Sequence, residues 1–102
     1  RVNGFVVLAM TIALAVPARV LAVPDCSRAK TNTEKLLCSN PRLAEADRRM
    51  ALAFRGAIHR GADPDSLMQA QRAWIQDARD VCSEVECMLR AYEERISDLD
   101  NR

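Results

Sequence analysis

The sequence predicts an all-α fold: a small antiparallel helical bundle, one short N-terminal helix followed by three longer ones, held by two disulfides and preceded by a signal peptide. Three observations carry this. No stretch of residues 23–102 alternates apolar and polar side chains as a strand would. Apolar residues instead recur at three- and four-residue steps behind recognisable caps. Four cysteines, an even number in a short chain, all lie beyond an apolar N-terminal run.

That run, FVVLAMTIALAV at residues 5–16, carries no charge. Arg1 precedes it, and Val20-Leu21-Ala22 follows Pro17 and Arg19. A charged start, an apolar middle and a small-residue end describe a signal peptide, with cleavage expected after Ala22. A membrane anchor competes with this reading. It needs roughly 20 apolar residues, and Pro17 and Arg19 interrupt the run first. Cys26 follows Val23-Pro24-Asp25 rather than a small-residue box, so lipidation is not expected. The expected division is residues 1–22 as signal peptide and 23–102 as one helical domain with no stable membrane anchor after cleavage.

Helix starts come next in order. Thr31 and Glu34 form a capping box for a helix reaching about Cys38. Asn40-Pro41 opens a second helix: Asn caps, and Pro occupies the first turn, where no N–H is needed. Leu43, Asp47, Met50, Phe54, Ala57 and Ile58 lie on one face, and Gly61 closes the helix. Asp63-Pro64 opens a third, with Leu67, Ala70, Gln71, Trp74, Ile75, Ala78 and Val81 on its stripe, ending near Cys82. Ser83 and Glu86 read as another capping box. The last helix shows Leu89, Tyr92, Ile96 and Leu99.

Short loops make consecutive helices antiparallel. A hairpin centred near residue 62 sets Met50 against Trp74, Phe54 against Ala70 and Leu43 against Val81. A second, centred near 84 to 85, sets Trp74 level with Arg95 and Gln71 level with Asp98. Asp47 falls on the apolar stripe level with residues 77–79. A buried carboxylate needs a partner, so an Asp47–Arg79 ion pair is expected. Asp47, Gln71, Arg79 and Arg95 form a candidate structural polar network. Trp74 and Tyr92 are candidate core anchors, by their place on the stripes.

The cysteines Cys26, Cys38, Cys82 and Cys87 allow three connectivities. The local one, Cys26 with Cys38 and Cys82 with Cys87, is favoured because each pair flanks a helix start within bridging reach. A four-cysteine zinc site fits poorly, because its usual close pairs are missing.

Residues 26–60 hold eight Lys or Arg against three Asp or Glu, whereas residues 76–102 hold four against eight. The near-neutral total argues against nucleic acid as a partner. Glu93, Glu94, Asp98 and Asp100 make the last helix a candidate partner surface. No phosphate loop, metal-protease motif or nucleophile elbow occurs, so neither catalysis nor a cofactor is expected. His59, the only histidine, sits where a helix C-terminus favours a cation.

The order of Asp25-Cys26, TNTEKLLC at residues 31–38, NPRLA at 40–44 with Asp47, QRAW at 71–74 with Arg79 and Cys82, then Cys87, Tyr92, Arg95, Ile96 and Leu99, resembles the LprI-type lysozyme inhibitor domain family. The resemblance spans roughly residues 25–99. It implies a small helical bacterial envelope domain with paired cysteines, periplasmic or secreted. The leading expectation built on it is an envelope protein that binds a protein partner, lysozyme, and inhibits it by steric occlusion of its cleft. The alternative is a general envelope interaction module with another partner. The resemblance carries over no inhibitory residues.

Overall fold

The computed structural model describes residues 25–102. The expected signal peptide, with its cleavage point after Ala22, lies outside these residues. Among them are a 3-10 turn, Cys26–Arg28, and four helices: α1 (Asn32–Ser39), α2 (Pro41–His59), α3 (Pro64–Trp74) and α4 (Val85–Asp100). A π-helical turn, Ile75–Arg79, continues α3. The fold is all-helical, as expected.

Three expected helix starts are built as the sequence implies. The Thr31 hydroxyl accepts from the Glu34 N–H at 3.1 Å, and the Glu34 carboxylate accepts from the Lys30 and Thr31 N–H groups. Asn40 Oδ1 accepts from the Arg42 and Leu43 N–H groups. Asp63 accepts from the Ser66 N–H at 2.9 Å. Each cap satisfies amides that the first helical turn leaves without a partner. The end of α2 also follows the sequence. Gly61, at φ 108°, donates to the Ile58 carbonyl, and Ala62 donates to that of Ala57. These two bonds close a Schellman motif.

The start of α4 does not follow the sequence. Glu84, not Ser83, caps it, and no side chain bonds to its free amides. Ser83 stands one residue too early for its hydroxyl to serve the first turn. The third helix also ends differently. The Asp80 N–H donates to the Ile75 carbonyl at 2.8 Å, an i→i−5 bond that marks the π turn. One extra residue per turn rotates the following positions off the apolar stripe. Val81 is therefore 68% exposed instead of facing Leu43.

The core comprises Leu37, Leu43, Ala46, Met50, Phe54, Ala57, Leu67, Cys82, Met88, Tyr92, Ile96 and Leu99. α2 packs most extensively on α4, and α3 lies against both. Since α3 reverses the chain once and α4 reverses it again, α2 and α4 run parallel. Their cross-links keep nearly one offset: Arg42 to Glu86, Arg49 to Glu93 and Tyr92 to Asp47. Both disulfides are local, Cys26–Cys38 and Cys82–Cys87, each with Cα atoms 5.6 Å apart. The first ties the 3-10 turn to α1, and the second closes the turn between α3 and α4.

Candidate functional site

The polar residues expected to form one network form two, with the aromatic pair between them. In the first, the Tyr92 hydroxyl donates to Asp47 Oδ1 at 2.8 Å. Both side chains are buried, Asp47 at 4% exposure. Burial pushes the Asp47 carboxyl above its usual range, opposed by the Tyr92 hydrogen bond and the nearby charge of Arg79. Burial, reinforced by the Asp47 charge, likewise raises the Tyr92 phenol. The expected direct Asp47–Arg79 ion pair is not made. Arg79 Nε bonds Asp80 at 2.9 Å, and its charge reaches Asp47 and Tyr92 from beside them. The parallel α2–α4 packing brings Tyr92 to the carboxylate, in the place expected for Arg79.

In the second network Arg95 Nε donates to Gln71 Oε1 at 2.8 Å, and Arg95 Nη1 donates to Asp98 at 2.9 Å. Gln71 Nε2 donates to the Met50 sulfur at 2.8 Å, and Arg102 reaches the same Asp98 oxygen at 3.2 Å. Arg95 is 5% exposed, and its Nη2 has no protein partner. Burial holds its guanidinium below its usual value.

Trp74 stacks edge-on against Tyr92, with ring centroids 5.1 Å apart, and its indole N–H donates to the Ala91 carbonyl. Trp74 is thus level with Ala91 and Tyr92 rather than Arg95, and Gln71 with Arg95 rather than Asp98. The second hairpin is displaced by about one helical turn, the pitch of roughly 3.6 residues. The first is displaced similarly, since Gln71 rather than Trp74 meets Met50. The turn before α4 spans residues 80–84, so its centre lies before the expected 84 to 85, and moving the centre moves facing pairs by twice as much.

The candidate partner surface divides in two. Glu93 is held bidentately by Arg49, at 2.8 and 3.2 Å. Asp98 is shared by Arg95 and Arg102. Glu94 and Asp100 stand exposed. Glu93 and Glu94 also line a groove of about 640 Å³ between α2 and α4. Pro41, Ala46 and Leu89 supply its apolar lining, and Arg42 and Arg49 reach across it to α4. This groove is not among the features expected from the sequence. Its signal was present: arginines at 42 and 49 and glutamates at 86 and 93 repeat with the same seven-residue spacing.

Among the described residues, no group of three or more His, Cys, Asp or Glu side chains stands where a metal could be held. The buried polar side chains bond to one another across helix contacts. Such an arrangement fixes helix register and leaves recognition to the outer faces. The class defined is a small, disulfide-clasped helical module of the kind that presents a rigid surface.

The family model described as lysozyme inhibitor LprI matches residues 26–99, and the chain belongs to that family. No curated protein and no solved structure matches the chain. Among the described residues, no helix is long and apolar enough to cross a membrane.

Proposed function

We propose that this chain is an exported envelope protein, periplasmic or secreted, that binds lysozyme and inhibits it by covering its substrate cleft. The observation that carries this is family membership across residues 26–99, nearly the whole described domain. The build of the domain suits the task. Two disulfides and two buried polar networks preorganise the surface, so less conformational freedom is lost on docking. The acidic C-terminal part of the domain, with eight Asp or Glu against four Lys or Arg over residues 76–102, favours a cationic enzyme and speeds its approach. The test is to add the oxidised protein to lysozymes of several structural types digesting purified cell walls. The expected result is slower clearance that rises with molar ratio and saturates. Unchanged clearance at large molar excess with every type would refute inhibition and leave a different envelope partner as the reading.

A further inference from the structure

Residues 80–84 form the turn between the π-helical segment and α4. It is held at several points. The Asp80 N–H bonds back to Ile75, and the Cys82 N–H bonds to the Arg79 carbonyl at 3.2 Å. Cys82 is a core residue joined to Cys87. Between these anchors Val81 projects with 68% of its surface exposed, more than any other large apolar side chain among the described residues. Of the acidic side chains near it in sequence, Asp80 pairs with Arg79 and Glu86 with Arg42, and Asp77 and Glu84 make no ion pair among the described residues. Residues 77–87 contain Asp77, Asp80, Glu84 and Glu86 against Arg79 alone. The Arg79 side chain is only 18% exposed. On the outer face of α4, Arg49, Arg95 and Arg102 neutralise Glu93 and Asp98, and no large apolar side chain stands exposed beside Glu94 and Asp100.

We propose that the disulfide-closed turn around Val81, rather than the outer face of α4, is the element that contacts lysozyme. This rests on the inhibitor reading above. Val81 is the apolar anchor, and the carboxylates of Asp77 and Glu84 beside it meet the cationic rim of the enzyme's cleft. An anchored turn presents an apolar side chain with little freedom left to lose on docking. The two unpaired carboxylates steer the encounter.

The two contributions separate kinetically. Val81→Ser removes buried apolar contact and is expected to raise the dissociation rate about tenfold, at nearly constant association rate. Asp77→Asn with Glu84→Gln is expected to slow association several-fold and to flatten its dependence on salt. Binding of the oxidised protein to an immobilised lysozyme that it inhibits gives both rates. All three positions are exposed, and Glu84 makes no side-chain capping bond, so helical content should be unchanged in each variant. Glu94→Gln with Asp100→Asn serves as the comparison. Loss of binding in that pair with none in the turn variants would overturn the assignment while leaving inhibition intact. If the unaltered protein inhibits no lysozyme, the inhibitor reading falls and the turn's role falls with it.

Discussion

Removing the Tyr92 hydroxyl and its acceptor together should cost less than the two separate removals combined. Tyr92→Phe leaves the Asp47 carboxylate buried without its only direct donor. A hydrogen bond to a charged group contributes about 1.5–3 kcal/mol, and a buried group left without a partner bears the full desolvation cost. Arg79 stays nearby and offsets part of it, so we expect a loss of about 2 kcal/mol. In a domain of this size each kcal/mol moves Tm by roughly 4–8 °C, so Tm should fall by about 8–16 °C. Asp47→Ala alone strands the phenol and opens a small void. The double variant strands nothing, so its loss should fall short of the two single losses combined by at least about 1 kcal/mol. Trp74 is the only tryptophan and lies against Tyr92, which makes its fluorescence a direct reporter of unfolding. A Tyr92→Phe protein melting within about 2 °C of the parent, or a double variant losing the full combined cost, would refute coupling between these groups.

Two further predictions follow from the same structure. The folded-state pKa of Asp47 lies above its unfolded value, so between the two the native state holds the extra proton. Its contribution to stability therefore declines as pH rises through that window and stays low above it. The exposed carboxylates Glu34, Glu45, Glu93 and Asp63 are shifted down and tilt stability the other way. Subtracting the urea midpoints of Asp47→Asn from those of the parent across roughly pH 3 to 7 isolates the Asp47 effect; a difference that rises with pH would contradict it. At Gly61, φ is 108° and an added Cβ would meet nothing within 4 Å, so Gly61→Ala tests backbone strain alone. A loss of about 1–2 kcal/mol is expected by urea denaturation, and an unchanged midpoint would mean that the turn relaxes freely.

What the sequence made legible was local. The caps at Thr31, Asn40 and Asp63 and the stop at Gly61 depend on a few adjacent residues, and each is present. Adjacent cysteines also pair, because short spans around helix starts bring them within reach. The register was not legible. Neither Gly nor Pro marks the π turn at Ile75–Arg79, so an uninterrupted 3.6-residue period carries Val81 onto the core stripe, and a hairpin centred too late sets Trp74 one turn away from Tyr92. The Asp47–Arg79 expectation shared that error. It compared neighbouring helices only, whereas the principal packing joins α2 to α4, and there Tyr92 reaches the carboxylate first. Met88, fully buried, was passed over for Leu89 beside it, which is only partly covered. The candidate partner surface was named from formal charge, and formal charge does not show that Arg49, Arg95 and Arg102 neutralise two of its four carboxylates.

Both clasps join cysteines that are consecutive in the chain, twelve and five positions apart. A polypeptide emerging N-terminus first presents Cys26 and Cys38 together long before Cys82 appears. The first bond can therefore close with no competing thiol in reach, and the second pair then meets only itself. Oxidation in order of emergence gives the native pairing directly. Such a chain makes little demand on isomerases that reshuffle mispaired disulfides, whose uncatalysed exchange takes minutes to hours.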